Sequence, residues 1–285
     1  MLEFIDITKT FNADLFTQPF TALKNVSFKV EPEKIVGFLG ANGAGKTTSL
    51  KIAMDFIRPT GGNVIFDPRL GKNSLDIFSK IGFLPERPFF YPYLTGREFC
   101  YYIGKLSDLN KKEIDIKIEQ WSHRFKIHFA LDREINTYSK GMLQRIGFLV
   151  TLLHDPEFII LDEPLSGLDP IGRKDLKDII VEINKLGKTV FFSSHIVSDV
   201  EEICSNVIFL KDGELYYEGS VDEIIQKNIK PTSIIKYLND EGIQQLTVSN
   251  ENKMNEIQKL SVTNVQIISI EVEKASLEEI IYNVK

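Results

Sequence analysis

Gly40-Ala41-Asn42-Gly43-Ala44-Gly45-Lys46-Thr47-Thr48 is the stretch on which the reading of the whole chain turns. It follows a nearly all-apolar run at residues 34–39 and opens a run of helix formers that extends from 46 to about 57. The spacing is that of GxxxxGK[ST], a loop that wraps phosphate groups between a strand and a helix. Glycines let successive backbone N–H groups turn inward around phosphate oxygens, and the helix N-terminus adds a partial positive charge. Lys46 is placed to reach the β- and γ-phosphates of a nucleotide, and the Thr47 hydroxyl to ligate Mg²⁺. The competing reading is an ordinary glycine-rich strand–helix turn. The apolar strand before and the helix after are the context that phosphate binding requires, so residues 40–48 are read as a nucleotide-binding loop.

A second run belongs with the first. Phe158-Ile159-Ile160-Leu161 is an apolar strand that ends in Asp162-Glu163. Alone, it is equally a strand closing on two solvated acids. Beside a phosphate loop in a parallel sheet, Asp162 is placed to hold Mg²⁺ across from Thr47, and Glu163 to orient and polarise a water.

Working outward, strand-like and helical runs alternate. Residues 23–30 look half-buried, 189–192 form another apolar strand, and helices are expected at 172–186 and near Val200. Apolar strands without polar alternation imply a mostly parallel sheet covered on both faces. A helical block from about 95 to 153 interrupts the alternation and is expected to form a lobe, placed at about 87–153. Asp212-Gly213 between two strand-like runs reads as a hairpin turn. Beyond about residue 227 the texture changes to strand, helix (250–260), strand (265–272) and helix, with Ser276 and Glu279 spaced as a capping box. The expected fold is α/β: a P-loop NTPase core with a mostly parallel sheet, an antiparallel β region and an inserted helical lobe over residues 1–225. A small α+β appendage is expected over 226–285.

Composition narrows the function classes. The chain has 285 residues, 43% hydrophobic and 26% charged, enough for a self-sufficient core. Its net charge of −6 gives no global basic field, so nucleic acid is not an expected partner. Two widely spaced cysteines, Cys100 and Cys204, fit reduced thiols and a cytoplasmic setting. No signal peptide, lipidation motif, polybasic run or apolar stretch of about 20 residues is visible. Work at a membrane would therefore need a second chain to supply the span. His123, His128 and His154 show no metal-like spacing.

At this point a family resemblance becomes specific. Tyr138-Ser139-Lys140-Gly141-Met142, followed by Gln144 and Arg145, resembles the signature loop of ABC ATPases in a KGM-type variant. Ser166-Gly167-Leu168-Asp169 resembles their D-loop, and His195, after Phe191-Phe192-Ser193-Ser194, their switch histidine. With the phosphate loop and the carboxylate pair, these motifs stand in the family's order over roughly the first 220 residues. Alone, the 138–142 segment is a glycine-containing helix start, and His195 a hydrogen-bonded strand-end residue.

The resemblance implies a head-to-tail dimer with each ATP between one subunit's phosphate loop and the other's signature loop. Ser139, Gly141 and Asp169 would then meet the nucleotide across the dimer, and His195 would sense the γ-phosphate. It also implies an ATPase using ATP and Mg²⁺, with a second ATPase subunit and an integral membrane permease as partners. The chain would lie peripherally on the cytoplasmic face of the membrane. The signature variant and short tail resemble exporter subunits. Ribosome- or DNA-directed relatives usually carry two cassettes or a long coiled coil, neither seen here. A pure ATP switch is disfavoured by the presence of Glu163.

Two positions depart from the family's pattern or stay open. The family usually has Gln where Gly82-Phe83-Leu84-Pro85-Glu86 places Glu86; a carboxylate there can still bind Mg²⁺ or water, but it is an anion near phosphates. The adenine-stacking aromatic is expected at Phe11, with Phe16 and Phe20 as alternatives. The aromatic run Pro88-Phe89-Phe90-Tyr91-Pro92-Tyr93 is either a permease-docking patch or core of the helical lobe.

Overall fold

The structure, a computed structural model, describes residues 1–12, 18–239, 242–262 and 265–283. It divides into two units, Met1–Gly219 and Ser220–Lys285.

The first unit opens with strands β1 (Leu2–Phe11), β2 (Phe20–Val30) and β3 (Ile35–Leu39). Helix α1 (Lys46–Ala53), β4 (Gly61–Phe66), α2 (Ser74–Ser79) and β5 (Ile81–Leu84) follow. Three helices come next, α3 (Gly96–Leu106), α4 (Lys111–Arg124) and α5 (Lys140–Thr151). The unit closes with β6 (Phe158–Leu161), α6 (Pro170–Lys185), β7 (Thr189–Ser194), α7 (Val197–Ile203), β8 (Asn206–Lys211) and β9 (Glu214–Ser220).

A six-stranded sheet runs in the order β5-β6-β7-β3-β8-β9, and the pairings β5-β6, β6-β7, β7-β3 and β3-β8 are parallel. Strands β3, β6 and β7 are buried along their whole length, which is why they read as continuous apolar runs. Strand β3, central in the sheet, hands the chain to the loop before α1. Its neighbour β7 and then β6 end on the same edge, because parallel strands in register bring their C-terminal ends together. The Asp212-Gly213 turn joins β8 to β9 with both residues at positive φ (51° and 79°), as a two-residue hairpin requires.

A second, antiparallel sheet, β2-β1-β4, packs on the first. Phe4 stacks on Phe28 at 4.4 Å between ring centroids, Phe28 meets Phe38 at 5.4 Å, and Phe38 meets Phe191 at 5.2 Å. This ladder ties β1 and β2 to β3 and β7, each pair worth about 0.5–1.5 kcal/mol beyond its buried area. The lobe helices α3 and α4 start at reciprocal capping boxes, Thr95 with Glu98 and Asn110 with Glu113. Helix α5 returns the chain to the sheet, with Gly147 against Leu84 and Phe90, so the lobe is anchored at the end of β5.

The second unit contains α8 (Val221–Lys227), β10 (Ile229–Asn239), β11 (Gly242–Ser249), α9 (Lys253–Val262), β12 (Gln266–Lys274) and α10 (Leu277–Asn283). Its sheet, β11-β10-β12, is antiparallel throughout. The Ser276–Glu279 capping box forms in both directions.

Three sequence expectations are shifted. The unit boundary falls at 219/220, not 225/226, because α8 packs on α10 within the second unit. Strand β11 was not expected; its Gln244-Gln245 pair masks the alternation. Helix α6 starts at Pro170, two residues earlier than residue 172, because Asp169 caps it and Pro suits the first helical position.

Candidate nucleotide site

The loop between β3 and α1 is built for close backbone approach. Gly45 caps α1 at φ 107°, and a Cβ there would stand 2.8 Å from the Ala22 carbonyl, so only glycine fits. Lys46 is 6% exposed; its Nζ donates to the Gly40 carbonyl at 2.6 Å and the Ala41 carbonyl at 3.3 Å. The same Nζ is 3.3 Å from Glu163 Oε1. A cavity of about 410 Å³ opens over this loop, lined by every loop residue from Ala41 to Thr48 except Ala44 and by Glu86, Glu163, Ser166 and His195.

Asp162 follows the last residue of β6 and is 2% exposed. Ser193 Oγ donates to its Oδ1 at 2.6 Å, and the Thr47 hydroxyl lies near enough to the same carboxylate to favour its charged form. Burial pushes the Asp162 pKa up; the two hydroxyls oppose this, while the carboxylates of Glu163 and Glu86 reinforce it.

Glu163 sits in the left-handed region at φ 48°, which a non-glycine residue adopts only when its surroundings hold it there. Two contacts from the end of β7 do so. The Glu163 N–H donates to Ser193 Oγ at 2.8 Å, and His195 Nδ1 lies 2.8 Å from Glu163 Oε2. The buried Oε1 has Lys46 as its ionic neighbour and no hydrogen bond among the described residues.

Thr47, Glu86, Asp162, Glu163 and His195 are therefore brought together around the loop. Gly40 and Ala44 support it: the first holds Lys46 through its carbonyl, and the second is buried beneath it. Other expected residues lie outside the cavity. Ser139 caps α5, accepting from the Met142 N–H at 3.3 Å, and Asp169 caps α6, accepting from the Gly172 N–H at 2.9 Å. Gly141 has Leu168 as its near neighbour, so the 138–142 and 166–169 segments adjoin in one subunit. Phe11 does not line the cavity. It is 40% exposed beneath Lys9, and its cross-strand partner Phe20 is the aromatic that lines the cavity. Phe16 lies outside the described residues.

Sequence reasoning placed Ser193 and Gln144 inside larger motifs and gave neither a role of its own. Gln144 is buried, and its Nε2 donates to the Pro164 carbonyl at 2.8 Å, tying α5 to the turn after Glu163. A hydroxyl inside the apolar strand 189–194 was the available signal for Ser193.

The sequence profile of a family described as ABC transporter matches residues 23–166. The chain belongs to the ABC transporter ATP-binding family.

Among its relatives, the ABC transporter ATP-binding protein sll0415 of Synechocystis is 36% identical, over 98% of this chain and 83% of that protein. YhaQ of Bacillus subtilis is 32% identical over 98% of this chain and 97% of its own length. A solved ATP-binding subunit of an ABC transporter superposes with a TM-score of 0.69 at 26% identity, covering 80% of this chain and 92% of that one. The ATP-binding cassette MJ0796, solved as a dimer in a post-hydrolysis state with ADP and Pi, shares the fold at a TM-score of 0.69 and 24% identity, over 78% and 99%. The chain is thus an ABC ATP-binding domain of α/β fold. Among the described residues no helix is long and apolar enough to cross a membrane.

The oxygen donors of Thr47 and Asp162 suit Mg²⁺, which protein sites commonly hold with one or two carboxylates plus substrate phosphates. No cluster of three or more His, Cys, Asp or Glu able to hold a metal exists among the described residues.

Proposed function

We propose that the chain binds ATP with Mg²⁺, closes head to tail on a second ATPase subunit, hydrolyses the nucleotide and drives a separate membrane permease. The observation that carries this reading is Glu163, held at the mouth of the phosphate loop between Lys46 and His195.

In this reading the phosphates draw Lys46 Nζ away from Glu163 and the loop carbonyls. Thr47 and Asp162, with Glu86 alongside, would hold Mg²⁺, which supplies positive charge at the phosphate oxygens. Glu163 Oε1, released from Lys46, accepts a proton from a water molecule. The water oxygen bonds to the γ-phosphorus as the bond to the ADP oxygen breaks. His195 keeps Glu163 aimed through Oε2 and is placed to contact the γ-phosphate. Phe20 offers a ring for the adenine. Ser139, Gly141 and Asp169, all at or near helix starts, would complete the partner subunit's site, which accounts for their lying outside this chain's own cavity.

The permease would dock on the helical lobe beside Glu86, where Phe89, Tyr91 and Tyr93 are exposed. The direction we propose is export, on the resemblance of the Tyr138–Met142 segment. The test is phosphate release by the purified chain with and without Mg²⁺, alongside identification of integral proteins that co-purify from its own membranes. Absence of Mg²⁺-dependent hydrolysis removes the enzymatic half of the reading, and co-purification with ribosomes in place of a membrane protein removes the other.

A further inference from the structure

Ser193 is wholly buried near the C-terminal end of β7, two residues before His195. Its hydroxyl is spent twice. It donates to Asp162 Oδ1 at 2.6 Å and accepts from the Glu163 N–H at 2.8 Å. No apolar residue can do either, and the neighbouring positions of β7 are filled by Val190, Phe191 and Phe192. A polar group inside such a strand costs free energy unless its hydrogen bonds are made, and here both are.

The two bonds reach groups with different duties. Asp162 carries the acceptor oxygens that face Thr47; Glu163 is the proposed base. With Oδ1 occupied by the Ser193 O–H, the rotation of the Asp162 carboxylate is set. With its N–H anchored, Glu163 is kept in the left-handed conformation at φ 48°, which turns its side chain toward Lys46 and His195. The rest of this strand end joins the same assembly: the Ser194 carbonyl accepts from the Gly40 N–H at 3.3 Å, and His195 meets Glu163 Oε2. Three consecutive residues, the last two of β7 and His195 just after it, thus reach the phosphate loop, the Asp162 carboxylate and both ends of Glu163.

We propose that Ser193 is the positioning residue of the hydrolytic site, one hydroxyl that sets the Asp162 carboxylate and the Glu163 backbone in fixed relation. This rests on the ATPase reading above. Asp162 and Glu163 are adjacent on a strand end, and without this clamp a change of Glu163 to a relaxed backbone conformation would swing its carboxylate away from the cavity. Ser193 acts through those two residues and touches no nucleotide itself.

The test compares the full chain with Ser193→Ala, Ser193→Thr and Ser193→Cys. Four quantities are read: kcat and KM for ATP, affinity for metal-free ATP, the Mg²⁺ concentration that half-saturates binding of a non-hydrolysable ATP analogue, and the melting temperature. In Ser193→Ala, kcat should fall about 10-fold or more, in the range of a mispositioned general base. Half-saturating Mg²⁺ should rise several-fold, while metal-free ATP affinity, which depends on Lys46 and the loop, should stay within about twofold. Thr keeps a hydroxyl and should recover most of both losses. Cys, a weak donor and acceptor, should lie between Ala and wild type.

Wild-type kcat and Mg²⁺ dependence in Ser193→Ala would overturn the proposal. So would a parallel loss of metal-free ATP affinity, Mg²⁺ affinity and melting temperature, because that pattern marks a strand that no longer packs. If the Thr chain does not fold, the order Ser, Cys, Ala decides the matter. If wild type binds ATP but hydrolyses none, the ATPase reading fails; if wild type hydrolyses and the Ser193 series is flat, only the clamp fails.

Discussion

Lys46 Nζ stands 3.3 Å from Glu163 Oε1, so the cation that should hold phosphate is paired with the carboxylate that should attack through water. The pair is largely buried, with side chains 6% and 12% exposed. Burial of two charges is tolerated because each neutralises the other, and Lys46 is further satisfied by two loop carbonyls. Nucleotide phosphates would compete for the same ammonium. Glu163→Gln should therefore lose turnover by about 10²–10⁴-fold, the usual worth of a general base, yet bind ATP at least as tightly as wild type because Lys46 is released from an anion. It should also accumulate as an ATP-dependent dimer. Phosphate release and size-exclusion chromatography with ATP check this; near-normal turnover sinks the role given to Glu163.

Lys46→Ala has a different signature. The loop loses its main charge on the β- and γ-phosphates, and Glu163 loses its ionic neighbour at Oε1. Nucleotide affinity should drop by at least about 10-fold, since a charge-assisted hydrogen bond is worth about 1.5–3 kcal/mol. Equilibrium titration with a fluorescent ATP analogue reads this directly, and a drop in kcat at unchanged affinity would contradict it.

The phosphate loop and the β6 carboxylates were legible because their function needs fixed residue types at fixed spacings along one strand–loop or strand end. The parallel core was legible for a related reason: β3, β6 and β7 are buried on both faces and leave an unbroken apolar run. Phe20 was harder to place. Whether it or Phe11 lines the cavity depends on how β1 and β2 pair, and Phe11 stands directly opposite Phe20 in that register. Ser193 was legible only as a hydroxyl inside an apolar strand, and its partners were not. Its partners are 30 and 31 residues away in sequence and meet it only because β6 and β7 are parallel neighbours. The second unit's β11 failed because Gln244 and Gln245 interrupt the apolar alternation that marks a strand.

Glu86 lines the cavity and is exposed, where the family usually has Gln. Glu86→Gln is nearly isosteric and keeps one acceptor oxygen, so the fold should persist and turnover should change by less than about 10-fold. Glu86→Ala should be worse than Glu86→Gln. Steady-state kinetics across Mg²⁺ concentrations give the comparison, and identical curves for all three proteins would place Glu86 outside the catalytic set.

His154 supplies a stability prediction remote from the site. Its Nε2 meets the Ile81 carbonyl at 3.0 Å, and burial pushes its pKa below 6.5. The folded state therefore keeps the ring neutral over a range where the unfolded chain takes up a proton. The stabilisation is complete above about pH 6.5 and is lost as pH falls toward the lowered folded value, by at most about 1.4 kcal/mol per pH unit. The melting temperature should fall more between pH 7.5 and 5.5 in wild type than in His154→Gln. Equal shifts in the two proteins would remove His154 from the account.

The aromatic run at 88–93 divides into two kinds of residue, and the division makes the docking surface testable. Phe89 is 78% exposed and Tyr93 82%, whereas Phe90 is half-buried, edge-on to Phe99 at 5.3 Å, and packs near Gly147. Phe90 therefore fits the reading of the run as lobe core, while Phe89 and Tyr93 stay open to the docking reading. Phe90→Ala should destabilise the chain by about 2 kcal/mol, less than the 3–5 kcal/mol of a fully buried phenylalanine. Phe89→Asp and Tyr93→Asp should leave stability within about 0.5 kcal/mol, as exposed substitutions do. If a permease docks here, a few aromatics supply most of the binding energy. The two Asp variants should then leave the membrane fraction while the purified proteins keep ATPase activity within about twofold of wild type. Sedimentation of cell membranes with immunodetection, paired with phosphate-release assays, measures both quantities. Unchanged membrane association in the double variant Phe89→Asp/Tyr93→Asp would move the docking surface elsewhere on the chain.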